Sequence, residues 1–354
     1  MKSLTQFFSA MLVAVVAFST WCFERAHAAL FAYMHRQGMI LCVAAPFPVT
    51  PALQAVALAY RNNKLIADEV LPRVPVGLQA FKYMSYPKGQ TMTVVETRVG
   101  RKGTPNQVEF TGTEVTDSTN DEALDDGVPI ADIELAAAQG LPDPLGRAVE
   151  GLTELVALKR EVRAASLVFT AGNYAATNKT TLAGNSQWSD YADGHSDPID
   201  DIVTGLDSCI MRPNIAVMGQ AVSSKLRRHP AILKAFNGTT GDTGMVPLQY
   251  LKDLFELDDI YVGQGWVNTA KKGQAVSLSR VWGSSCALLY RNKQADTQRG
   301  VTFGFTAQYG TRIAGSQFDG DIGMRGGQRV RVGESVKELL MANDLGYLIA
   351  DAVA

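Results

Sequence analysis

Along DPLGRAVEGLTELVALKREVRAASLVFTAGNY the apolar residues Leu145, Val149, Leu152, Val156, Val162 and Phe169 recur near helical spacing. Asp143 is placed to cap such a helix, Pro144 suits its first position and Gly172 suits its close. The spacing predicts one helix over residues 143–173, about 42 Å long for roughly 28 residues at 1.5 Å each. With no proline in its interior, it reads as a structural spine. The chain before it has another character. Prolines at 46, 48, 51, 72 and 75 leave room for one short helix, from Pro51 to about Asn62, with extended flanks. This stretch reads as an arm lying on something else.

Residues 91–116, TMTVVETRVGRKGTPNQVEFTGTEVT, are dominated by Thr and Val around the turn cluster GRKGTPN, which predicts a long β-hairpin. Neither strand has a good apolar stripe, because the alternation of Val108 and Phe110 runs into Gly112. A two-stranded hairpin without an apolar face is barely stable in water. It is therefore expected to lean on another surface, as a lid in a compact enzyme or across a neighbouring subunit in an assembly. Its tip is basic, with Arg98, Arg101 and Lys102. The segment beyond is acidic, with Glu114, Asp117, Asp121, Glu122, Asp125 and Asp126. Two readings stand for these charges: a solvated loop, or pairing between copies of the same chain. On the second, the candidate contacts between subunits are Arg98, Arg101, Lys102, Pro105, Phe110, Asp125 and Asp126.

Residues 199–290 alternate helix and strand. DPIDDIVTGLDSC is a helix capped by Asp197, NIAVMG a buried strand, and AVSSKLRRHPAILKAF a helical stretch broken at Pro230. PLQYLKDLFEL is a further helix, while DIYVGQ and VWGSSCALLY are strands. VTFGFTAQYG, RVRVGESVKELLMA and GYLIADAV read mostly as strands, although 335–341 also suits a turn or two of helix. The pattern is α+β with an α/β portion of modest size.

Length and composition narrow the class. At 354 residues the chain holds two domains or one large one with excursions. With 46% hydrophobic and 19% charged residues it can bury a core. A formal net charge of −2 argues against a dedicated nucleic-acid binder. Cys22, Cys42, Cys209 and Cys286 form no CxxC pair and no disulfide framework, so they read as buried or indifferent thiols. The opening MKSLTQFFSAMLVAVVAFSTWCFERAHA has the outline of a secretory signal, with Lys2, an apolar run and Ala26-His27-Ala28. Trp21, Phe23, Glu24 and Arg25 fit that outline poorly.

Chemistry is not legible. There is no HExxH, GxSxG or GxxxxGK[ST]. GMRGGQRVRVG and GQGWVNTAKKG lack the spacing of a nucleotide loop. His229 reads as a surface residue beside Arg227 and Arg228. Asp190, Asp193, His195, Asp197, Asp200 and Asp201 invite a metal, but the calcium-loop pattern is missing and Asp197 is more simply a cap.

The order of parts resembles the major capsid proteins of tailed bacteriophages, with their Hong Kong 97-like shell fold. The stretches LIADEVLPRVPV, GNSQWSDYADGHSDPIDDI, RPNIAVMGQAVSSKLRRHPAIL and RVRVGESVKELLMANDLGYLIADAV carry the likeness, which spans about residues 46–354. It implies an N-terminal arm (39–80), an extended hairpin loop (81–130), a peripheral domain with the spine (131–198), a mainly axial domain (199–300) and returning peripheral and axial strands (301–354). It further implies a homo-oligomer of hexamers and pentamers in an icosahedral shell around duplex DNA, held only by non-specific contact. Portal, scaffolding or decoration proteins are the implied partners, with no cofactor, catalytic centre or membrane. Such shells assemble in the host cytoplasm. The resemblance therefore turns residues 1–38 into an upstream extension, with the start at Met34 or Met39, in place of an export signal. The competing readings are a bacterial encapsulating-compartment shell and a secreted enzyme or binding protein.

Overall fold

The computed structural model describes residues 47–354 apart from positions 61, 63, 86–93, 109–112, 192–193, 239–240, 242 and 298. The expectations for residues 1–46 lie outside the described residues, and so does Phe110.

Helix α1 (Pro51–Ala59) begins on its proline, and a one-turn helix α2 (Ala67–Val70) leads into strand β1 (Arg73–Val76). Strands β2 (Ala80–Ser85) and β3 (Thr113–Ser118) pair antiparallel with each other. Strand β4 (Asn120–Pro129) runs straight into α3 (Ile130–Gln139), which ends on Gly140 in the left-handed region. The spine, α4 (Pro144–Phe169), follows. Next come β5 (Lys179–Thr181), α5 (Pro198–Ser208), β6 (Ile215–Gly219), α6 (Gln220–Leu226), α7 (Pro230–Asn237) and α8 (Leu248–Phe255). The remainder is β7 (Asp259–Gly263), β8 (Trp266–Asn268), β9 (Leu278–Arg280), β10 (Cys286–Leu289), β11 (Gly304–Asp319), β12 (Gly327–Leu340) and β13 (Gly346–Ala350).

Two sheets organise the chain. One has the order β1-β11-β12-β4, and the other β5-β13-β10-β6-β7. In the five-stranded sheet the two-residue period sorts side chains cleanly. Ala216, Met218, Cys286, Leu288, Tyr347 and Ile349 face a core closed by α5, α6, α7 and α8. Ile215, Val217, Ala287, Leu289 and Leu348 face a second core, closed by α2 and the C-terminal part of α4. In the four-stranded sheet Val128, Ala314, Val330 and Val332 pack on Leu53 and Ala57 of α1 and on Val149 and Leu152 of α4.

The spine therefore changes partner along its length. Its first turns bury Val149, Leu152 and Val156, and its last turns bury Ala164, Ala165 and Val168. Between them sit two buried charges, Arg160 and Glu161. Asp143 caps the helix by accepting from the Leu145 and Gly146 amides at 3.0 and 3.2 Å. The Asp143→Ala variant should lose about 1 kcal/mol of stability in a urea titration. The helix stops at Thr170, before the expected Gly172, because Asn173 Nδ2 and the Tyr174 hydroxyl occupy the Leu167 and Val168 carbonyls at 2.6 Å.

Several local expectations are corrected. The hairpin pairs residues 80–85 with 113–118, so its stem begins earlier than Thr91, and 94–108 contains no strand. The acidic segment is not a loop: Glu114 and Asp117 lie on β3, and the rest on β4, which pairs with β12 from Asn120↔Val336 to Pro129↔Gly327. Residues 335–340 continue the strand β12. Helix α3 and the small hairpin β8–β9 carry no strong sequence pattern and were not expected. His229 is buried: its Nδ1 accepts from the Ala231 amide at 3.2 Å, capping α7, and its ring meets Tyr191 edge-on.

Candidate assembly surfaces

The arm reaches the spine through charge. Glu161, on the buried side of α4, faces the start of α2. Its carboxylate accepts from the Ile66 and Ala67 amides, both at 2.8 Å, and from the Trp282 indole Nε1 at 2.5 Å. Burial pushes the Glu161 carboxyl up, and these three donors only partly offset that. Trp282 can approach because strands β6 and β7 end in glycine. A Cβ on Gly219 would lie 1.8 Å from the Trp282 carbonyl oxygen, and one on Gly263 would lie 2.0 Å from the Trp282 ring.

Beginning at the adjacent Arg160, guanidinium and carboxylate groups interlock. Arg160 donates to Asp68 and, at 3.0 Å, to Thr306 Oγ1. Arg73 reaches Asp68 at 2.6 Å and Glu334 at 2.9 Å. Arg312 joins Glu334 at 3.1 Å and the Ala57 carbonyl at 3.0 Å. Arg163 grips Glu338 at 2.9 and 3.1 Å and Glu122 at 2.9 Å. Burial alone would raise Glu334, but Arg73, Arg312 and Arg160 outweigh it and hold the carboxyl below its usual range. Asp68 is lowered in the same way, with Arg160 and Arg73 overcoming its desolvation. The network joins arm, spine and four-stranded sheet into one body.

Beyond its stem, the described part of the extended segment, residues 94–108, is not part of this network. Phe81 of β2 is buried with Val74, Val76, Phe305, Ala307 and Leu339, which roots the stem. Farther out, every described residue from 94 to 108 is exposed, including Val94, Val99 and Val108. Arg98, Arg101, Lys102 and Pro105 all lie there. Asp125 and Asp126 lie on β4, away from that tip in sequence and paired against β12. Both oxygens of Asp125 are taken by Arg331 at 2.6 Å, and this hydrogen-bonded pair lowers the Asp125 carboxyl. Asp121 accepts from Ser335 Oγ at 2.6 Å, and Asp117 from Lys337 at 2.5 Å. Much of the acidic run is thus neutralised within its own chain, while Asp126 stays exposed.

Of the residues that first suggested a metal, Asp197 and Asp201 have structural partners, and Asp193 lies outside the described residues. Asp197 caps α5 through the Ile199 and Asp200 amides, and Asp201 accepts from Trp188 Nε1 at 2.8 Å. Burial pushes the Cys209 thiol up to about 11 and that of Cys286 up to about 12. Among the described residues no group of three or more His, Cys, Asp or Glu could hold a metal ion. None of the described helices is long and apolar enough to cross a membrane.

Residues 171–300 match the family described as phage major capsid protein E. The chain is 55% identical over 310 residues to the major capsid protein of Pseudomonas phage JBD67, covering 88% of this chain and 99% of that one. Its fold is similar to that of a phage-related protein from Bordetella bronchiseptica, with a TM-score of 0.68 and 26% identity over 86% of this chain and 98% of that one. The capsid of cyanophage P-SCSP1u shares the fold at 8% identity, with a TM-score of 0.52 over 89% of this chain and 93% of that one.

Proposed function

The chain belongs to the phage major capsid proteins, and from that premise we propose that copies of it assemble into the icosahedral shell, built of hexamers and pentamers, that encloses packaged duplex DNA of a tailed phage or prophage. Its role is structural, and its place is the virion capsid. In this reading residues 39–80 are the arm and 81–130 the extended loop. Residues 131–198, with strands of 301–354, form the peripheral part, and 199–300 mainly the axial part. Assembly takes place in the host cytoplasm, with portal and scaffolding or decoration proteins as further partners. The observation that carries the reading is the loop: residues 94–108 are exposed throughout, on a two-stranded stem in which Phe81 is the buried residue among those described. Such a segment gains on a neighbour the buried area that the described residues of its own chain do not give it. A net charge of −2 suits a container that holds DNA loosely and releases it.

Velocity sedimentation of cells expressing the full chain tests the shell. Megadalton particles in the cytoplasmic fraction are expected. A monomer-sized species found only in an exported fraction would overturn it. Within the shell, Arg98, Arg101 and Lys102, flanked by Pro105 and Phe110, lie across the neighbour, whose Asp126, beside the Asp125–Arg331 pair, offers a complementary charge. Reversing the three cations to Glu should cut particle yield at least tenfold and leave the melting temperature of the unassembled chain unchanged. Unaltered yield would remove the loop tip from the interface.

A further inference from the structure

The hairpin β8–β9 follows the end of β7 and has a face that the described residues leave open. The pairing Trp266↔Arg280 and Asn268↔Leu278 puts these four side chains on one face. Trp266 is 48% exposed, Leu278 60% and nearby Val276 69%. The Arg280 guanidinium lies 4.0 Å from the centre of the Trp266 ring, which orients the indole without covering it. At the base Gly265 is buried, and a Cβ there would lie 3.4 Å from the Val281 side chain and 3.5 Å from that of Leu65. Residues 264–281 contain Lys271, Lys272 and Arg280 and no carboxylate. The projection therefore presents exposed apolar side chains on one face, and its charges are all cationic.

The opposite end of the same two parallel strands has the complementary character. Asp258 precedes β7 and the 209–214 loop precedes β6; the two are tied by the Asp258 amide donating to the Asn214 carbonyl at 2.8 Å. Ile210 in that loop is 48% exposed. In the same loop Arg212 reaches Asp207 at 3.0 Å and Glu256 at 3.5 Å, and Asp207, Asp253, Glu256 and Asp258 are all exposed. About 16 Å of strand, five residues at roughly 3.3 Å each, separates the two poles.

We infer that the 264–281 hairpin of one copy docks on the 207–212 and 253–258 surface of the next, with Trp266, Leu278 and Val276 over Ile210 and the cations against the acidic rim. The contact is heterologous, joining two different surfaces, so its repetition gives a ring when the rotation closes, as the hexamers and pentamers of the proposed shell require. It rests on the proposed shell and specifies one contact inside it. Charge complementarity and the matched apolar centres select a second copy over nucleic acid, which would leave three apolar side chains without a role.

The test is a charge exchange in the full chain, scored by sedimentation. K271E/K272E and D207K/E256K should each reduce particle yield at least tenfold, with unchanged circular dichroism. The two sets combined in one chain should return the yield to within about threefold of the natural sequence. Full assembly of either charge-reversed chain would overturn the contact, as would failure of the combined chain to recover. Normal particles that lose only bound nucleic acid in K271E/K272E would overturn it too and assign the lysines to DNA. If the natural chain forms no particles under conditions where its unassembled form is folded, the shell reading fails first and this contact with it.

Discussion

Replacing Glu161 by Ala should cost about 3–5 kcal/mol, the range for stripping a partner from a buried charged network. The loss is large because three donors are orphaned together: the Ile66 and Ala67 amides and the Trp282 indole. Glu161→Gln should fall between. An amide keeps one acceptor oxygen, so one donor site would face an NH2 group instead. Trp282→Phe removes a single donor and should cost less than Glu161→Ala. Urea unfolding of the unassembled full chain reads all three. Hydrogen exchange at residues 66 and 67 should accelerate most in Glu161→Ala. A loss below 1 kcal/mol in that variant would show that the arm is held by its apolar contacts alone.

The second large effect belongs to Glu334. Its carboxylate is buried between Arg73 and Arg312, with Arg160 nearby. Glu334→Gln keeps the shape but leaves the guanidiniums short of one counter-charge, so about 3–5 kcal/mol should be lost at neutral pH. The pH dependence has a definite sign. A carboxyl held below its unfolded value stabilises the fold above that value, about 4.3 for Glu, and the contribution disappears as pH falls through the folded value. Asp68 acts in the same direction. Glu161 acts oppositely, because burial raises it, so its ionised form carries a cost that acid removes. Unfolding midpoints taken from pH 7 to pH 3 should therefore fall less steeply for Glu334→Gln than for the natural chain. Parallel curves would mean that Glu334 does not titrate with folding.

Both effects place the arm at the centre of the subunit's stability. The Asp68, Arg73 and Glu161 contacts fasten residues 66–73 to the spine and sheet. Residues 94–108 remain outside this body. A rigid core carrying projections that find their area on neighbours is what a repeated shell needs, since each modest contact is multiplied by the number of copies.

Some features were determined by sequence alone. The spine was legible from its 3.6-residue period, with Asp143 and Pro144 marking its start. Strands β6, β7, β10 and β13 were legible as apolar runs, and the break at Pro230 followed from its missing amide. The absence of an apolar stripe in the loop also needed no coordinates. These signals are local: each depends on spacing within a single element.

Tertiary structure decided what depends on distant partners. Residues 120–129, of which five of the ten are acidic or amide, carry no strand pattern and leave two readings, a solvated loop or pairing between copies. They form a strand because β12, some two hundred residues later, brings Arg331, Ser335 and Lys337 opposite or near them. Arg160 and Glu161 look like ordinary solvent positions in a helix, yet they are buried where the spine passes from one sheet to the other. His229 stands beside two arginines but is turned inward by its cap on α7. A charged residue's burial is set by the partner that neutralises it, and when that partner lies far along the chain, only the folded structure brings the two together.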